Sequence, residues 1–148
     1  MGGFFLFWQL PLVMAGYSST PLPKKLGLKP HTVLCLRDAP SNYLDLISPL
    51  AEGIIVKNSL SGHFDFIHLF VTELSYFTKE LQRCKAHLKQ HGMVWVSWPK
   101  KAAKIATDVD ENKIRDFGLK IGLVDVKVCA VDVIWSGLKF VSPVNDRK

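Results

Sequence analysis

The groups in this chain best suited to holding a ligand are basic. Lys24 and Lys25 follow the hydroxyls of Ser18, Ser19 and Thr20, and Lys100 and Lys101 follow Trp98. Ammonium groups supply charge and hydroxyls supply direction, the combination a phosphate or carboxylate needs. Other constellations fall short of a reaction. Cys84, His87 and His91 stand at i, i+3 and i+7, roughly one helical face, a spacing that invites zinc. Cys84, however, belongs to an apolar stripe and His91 to a turn, so the expectation is a buried thiol, two surface imidazoles and no metal. A nucleophilic site needs Ser or Cys with a His base and an orienting carboxylate. No Gly-x-Ser-x-Gly elbow occurs, and Cys35 lies in an apolar run that packs. His63 has no spacing that names a role, and His68 reads as a hydrogen-bonded core residue. Trp95, Trp98 and Trp135 suggest a stacking surface for bases, but Trp95 and Trp98 fall on opposite faces of one strand and need not converge.

The elements that must position these groups come from an ordinary globular composition. The 148 residues are 48% hydrophobic and 22% charged, enough for one domain with a real core. The formal charge of +6 is spread along the chain, which leaves nucleic acid open as a partner without requiring it. Cys35, Cys84 and Cys129 are far apart, with no CxxC pair, so reduced thiols in a cytoplasmic protein are expected. Residues 1–15 form an apolar extension too short to span a bilayer and without the basic residues that open a signal peptide. It reads as an over-extended start, with translation beginning at Met14; a docking arm or an export signal are the alternatives. No membrane partner is expected. Residues 16–143 make one domain, and 144–148 a tail.

Along that domain, residues 16–31 carry Pro21, Pro23, Gly27 and Pro30 and read as irregular. Thr32 to Arg37 is a buried strand, and Ser41 is placed to cap a helix bearing Tyr43, Leu44 and Ile47 that Pro49 limits. Gly53 to Lys57 and Phe64 to Val71 give two more strands, the latter apolar enough to be covered on both faces. A helix starts at Thr72 or Glu73. Its stripe of Leu74, Phe77, Leu81, Cys84 and Leu88 faces inward, with Lys79, Glu80, Gln82, Arg83 and Lys85 outward, and Gly92 ends it. Met93 to Trp98 is a strand. Asp108 to Glu111 has capping-box spacing before a helix with Ile114, Phe117 and Ile121, stopped by Gly122. Val124, Val126, Val128 and Ala130 alternate with polar residues, the period of a strand with a buried face. Ser136-Gly137 marks a turn, and Leu138 to Val141 returns. Alternating strands and helices require a mostly parallel sheet with helices on both faces, and the last two strands must pair antiparallel. The fold class is therefore α/β, a three-layer Rossmann-like sheet with a C-terminal antiparallel hairpin.

Leu28 to Leu36 resembles the lead-in and first strand of class I S-adenosylmethionine methyltransferases. Phe64 to Leu69 resembles that family's fourth strand, Leu88 to Ser97 its fifth with the preceding turn, and the terminal hairpin fits as well. The resemblance implies a methyltransferase-like fold. It also implies an acidic residue and alternate glycines after the first strand, and a carboxylate after the second to hold the ribose hydroxyls. Here those positions are Cys35, then Arg37, Ala39 and Ser41, and the second strand ends in Lys57-Asn58. Glycines there let backbone approach the cofactor, and side chains occupy that space instead.

A second resemblance covers more of the chain. Tyr17 to Gly27, Trp98-Pro99-Lys100-Lys101, Ala106-Thr107-Asp108, Gly122 to Asp132 and Trp135 to Lys139 are similar to blocks of DUF3052, a small bacterial family of uncharacterised proteins. It implies no function. The expectation is a non-catalytic binding or interaction module with no cofactor, on a fold that has lost S-adenosylmethionine binding. Ligands of open α/β sheets sit outside the carboxyl ends of the strands. That rim would carry Asp38, Thr72, Glu73, Trp98, Lys100, Lys101, Thr107 and Asp108, with Lys24 and Lys25 reaching it, and would receive an anionic small molecule or a protein partner. An active methyltransferase with an atypical loop is the alternative, and a nucleic-acid binder the third.

Overall fold

The structure, a computed structural model, describes residues 20–143. The apolar extension 1–15, residues 16–19 at the domain's start and the tail 144–148 lie outside the described residues. The elements run α1 (Leu22–Leu26), β1 (Val33–Arg37), α2 (Tyr43–Leu46), β2 (Ile55–Lys57), β3 (Phe64–Phe70), α3 (Leu74–Ala86) and β4 (Leu88–Pro99). A short 3-10 turn (Lys101–Ala103), α4 (Glu111–Lys120), β5 (Val124–Ala130) and β6 (Trp135–Val141) complete them. The six strands form one sheet in the order β2-β1-β3-β4-β6-β5. β1 pairs parallel with β2 and β3, β3 parallel with β4, and β6 antiparallel with both β4 and β5.

The pleat sends alternate residues into two cores. On one face Ile67, Leu69, Val94, Val96 and Leu138 pack with Phe77, Leu81 and Cys84 of α3 and Ile114 of α4. On the other, Leu34, Phe66, Phe70 and Trp95 pack with Leu26 of α1 and Tyr43 of α2. The result is the expected three-layer arrangement with its antiparallel hairpin. Close approach of α4 to β6 depends on Gly118, where a Cβ would lie 2.2 Å from the Phe140 ring.

Several boundaries differ from the sequence reading, each for a local reason. The irregular N-terminal stretch contains α1, because Pro23 in its first turn suits a helix start and Gly27 at φ 84° closes it. Ser41 does not cap α2; Asn42 precedes it without a side-chain cap, and the helix lasts four residues. β2 begins at Ile55 and all of its residues are exposed. α3 ends at Ala86, and Leu88 opens β4, opposite Phe64 across a register shift. Ser136 and Gly137 lie inside β6; the turn falls at Asp132, whose carboxylate accepts from the backbone N–H of Ile134 and Trp135, each at 2.8 Å. The valines of β5 are exposed, Val126 by 52%, because β5 is the sheet edge and its pairing is bulged between Asp125 and Lys127.

His68 occupies the centre of the α1/α2 face, fully buried, as expected of a core histidine. Its Nδ1 lies 2.7 Å from the Tyr43 hydroxyl and its Nε2 2.8 Å from Ser97 Oγ. A neutral ring satisfies both contacts, one nitrogen accepting and the other donating. Phe70 stacks on it at 4.4 Å. Burial drives its pKa down from 6.5 to about 3. The unfolded chain therefore takes up a proton near pH 6.5 that the fold refuses until about pH 3. Stability is full above the higher value and falls by about 1.4 kcal/mol per pH unit below it. Urea unfolding across this range should show that extra slope in the wild type relative to His68→Gln; equal slopes would contradict the assignment.

Candidate functional site

The carboxyl ends of β2, β1, β3 and β4 share one edge of the sheet, where ligands of open α/β folds sit. The segment leaving β1 is filled by a side chain. Arg37 donates Nε and Nη2 to Glu80 Oε2 of α3 at 3.3 and 3.1 Å, and Nη1 to the Asn58 carbonyl at 2.9 Å. Arg83 bonds the other oxygen of Glu80. Glu80 is 3% exposed, not on the outer face of α3 as its charge suggests, and a carboxylate so buried requires such partners. Its position between Phe77 and Cys84 at i−3 and i+4 was the available signal. Arg37 thus ties the end of β1 to the loop after β2 and to α3.

Asp38 follows with φ 58°, a left-handed conformation that Asp tolerates better than most residues. The Tyr76 hydroxyl donates to its carboxylate. Partial burial, aided by that bond, raises the Tyr76 pKa and keeps the phenol protonated. Asp38, Thr72, Glu73, Tyr76, Phe70 and Trp135 enclose a hollow of about 340 Å³.

A larger cleft of about 810 Å³ opens at the end of β4, where Trp98, Lys100, Lys101, Thr107, Asp108 and Ser136 meet. Two of these are already engaged. Asp108 accepts from the Leu74 backbone N–H at 2.7 Å, so it caps α3 from a distance, and Thr107 donates to the Thr72 carbonyl at 2.6 Å. They fasten the start of α3 to the loop before α4. Asp110 caps α4 by accepting from the Lys113 N–H at 2.9 Å. The ammonium groups of Lys100 and Lys101 have no ion-pair partner among the described residues.

The ten candidate rim residues therefore divide. Trp98, Lys100, Lys101, Thr107 and Asp108 come together, while Asp38, Thr72 and Glu73 line the neighbouring hollow. Lys25 lies in a third depression, of about 430 Å³, donating to the Ala130 carbonyl at 3.2 Å. Lys24 is exposed and lines none of these three hollows. The thiols of Cys35 and Cys84 are buried, and burial pushes Cys84 up to about 12, which suits packing and not nucleophilic attack. Among the described residues no group of His, Cys, Asp and Glu could hold a metal ion, and no helix is long and apolar enough to cross a membrane. Trp95 and Trp98 serve opposite cores and do not converge.

No family model and no curated protein matches the chain. Solved structures do. Magnesium protoporphyrin IX methyltransferase of Synechocystis PCC 6803, with bound SAH, superposes with a TM-score of 0.59 at 11% identity, covering 82% of this chain and 78% of that one. The N-methyltransferase NodS of Bradyrhizobium japonicum WM9 gives 0.54 at 10% identity over 77% and 88%. A methyltransferase of Pyrococcus furiosus gives 0.53 at 14% over 83% and 80%. At such identities the likeness shows the fold, and the fold is methyltransferase-like.

That fold implies S-adenosylmethionine, and the residues at the strand ends do not fit it. The end of β1 presents an arginine anchored on two sides in place of bare backbone, and the end of β2 presents an exposed Lys57 and no carboxylate. Removing the Arg37 guanidinium leaves buried Glu80 with Arg83 alone, whose side chain is 56% exposed. Arg37→Ala should lose about 1–3 kcal/mol in urea unfolding, and unchanged stability would show that the pair contributes nothing.

Proposed function

We infer that this protein is a binding module of the cytoplasm, built on a methyltransferase-like fold, that holds an anionic ligand and performs no methyl transfer. The observation that carries this reading is the Arg37 guanidinium, held by Glu80 and the Asn58 carbonyl, at a position where the resemblance to class I methyltransferases implies glycine. The cleft at the end of β4 supports the ligand class: Lys100 and Lys101, without ion-pair partners among the described residues, share it with the Ser136 hydroxyl and Trp98, while two of the three carboxylates that also line it, Asp108 and Asp110, are engaged as helix caps. The blocks from Tyr17 to Lys139 support membership of DUF3052.

The second reading is an active methyltransferase with an atypical loop. The structural neighbours favour it over the first, since they are methyltransferases and one carries bound SAH. The hollow beside Asp38 also favours it, because carboxylates and aromatic faces suit a cationic group. It requires Arg37 to leave Glu80.

Titration with inorganic phosphate, followed by tryptophan fluorescence, tests the anion cleft. Lys100→Ala combined with Lys101→Ala should weaken binding about tenfold or more without lowering the unfolding midpoint. Undiminished binding in that variant would place the anion elsewhere.

A further inference from the structure

A second group of lysines lies on the α1/α2 face of the sheet. β5 and β6 place Lys127 directly opposite Lys139, and the same row continues through Trp95 of β4 to His68 of β3. All of these side chains rise from the α1/α2 face. Like charges directly opposed across a strand pair cost stability, and a third ammonium, Lys29 from the loop after α1, acts on Lys139 as well.

None of the three forms an ion pair among the described residues. Lys127, exposed, donates to the Lys25 carbonyl at 2.9 Å. The neighbouring Leu26 carbonyl is already taken by the Trp95 indole at 2.9 Å, so it offers Lys139 little. Lys139 is half-buried, and burial first, then Lys127 and Lys29, lower its pKa. Gly27, at φ 84°, brings the end of α1 beside Met93 and the Lys139 ammonium, which would lie 3.4 and 3.8 Å from a methyl there. A partly desolvated ammonium with like-charged neighbours either gives up its proton more readily or is held by an opposite charge that joins it.

We propose that Lys29, Lys127 and Lys139 form a binding site for a phosphoryl group of a small polyanion on the α1 face of the sheet. Two ammonium groups directly opposed on neighbouring strands, with Lys29 acting on one of them from the loop after α1, suit the several oxygens and multiple negative charge of such a group. A single carboxylate would leave most of that charge unanswered. The site shares no residue with the cleft at the end of β4, so the two proposals fail independently.

Inorganic pyrophosphate is the probe, added to the full chain while lysine side-chain resonances are titrated with pH by NMR. In free protein Lys139 should lose its proton earlier than the exposed lysines, and pyrophosphate should move its midpoint upward. Lys127→Met combined with Lys139→Met should weaken pyrophosphate binding at least tenfold and leave the unfolding midpoint equal or higher, since repulsion is removed. Lys100→Ala combined with Lys101→Ala should leave the Lys139 response intact. A Lys139 midpoint unmoved at saturating pyrophosphate, or equal affinity in the methionine variant, would overturn the proposal. So would single-stranded RNA that binds at these lysines more tightly than pyrophosphate and weakens steeply with salt, because the ligand would then be a nucleic-acid backbone.

Discussion

A buried carboxylate has to be answered by charge, and Glu80 governs the end of the sheet for that reason. It sits on the inward face of α3, 3% exposed, and draws Arg37 across from β1. Once there, the guanidinium reaches the Asn58 carbonyl and closes the gap between β1 and β2. The edge at which methyltransferase-like folds receive their cofactor is thereby made part of the protein's own framework. Truncating one partner of such a pair is costly, because the other charge stays buried.

The remaining architecture supports this edge from both faces. On the α3 side, Thr107 and Asp108 of the loop before α4 fasten the first turn of α3, so that the helix carrying Tyr76 and Glu80 cannot shift relative to β3. On the α1 side, the chain of Tyr43, His68 and Ser97 links α2, β3 and β4 through a neutral imidazole. Buried polar groups that are fully satisfied favour one arrangement of the layers over its neighbours. The cleft at the end of β4, where Lys100, Lys101 and Lys113 meet Asp108, Asp110 and Glu111, stays open on this edge.

Much of this was legible in the sequence. The near-continuous run from Phe64 to Val71 and the three-four stripe through Phe77, Leu81 and Cys84 dictate a central strand and its helix, because periodicity follows burial. The final two strands imply the antiparallel hairpin. The valines of β5 misled for the same reason: alternation promises a covered face, yet a bulged edge strand has little to cover it. Glu80 was hidden because a charged residue on a helix ordinarily faces water, and only the arginine two strands away changes that. The rim was expected as one set, but Asp108 is engaged as a long-range cap and Thr107 with the Thr72 carbonyl, and such contacts leave no periodic trace. The cluster of Lys29, Lys127 and Lys139 is set by strand register, which local sequence does not reveal.

The central claim is that Arg37 and its partners occupy the place a methyl donor would need. Calorimetric titration of the full chain with S-adenosylmethionine tests it directly. No saturable heat is expected through the micromolar range. A saturable isotherm with a micromolar Kd would contradict it.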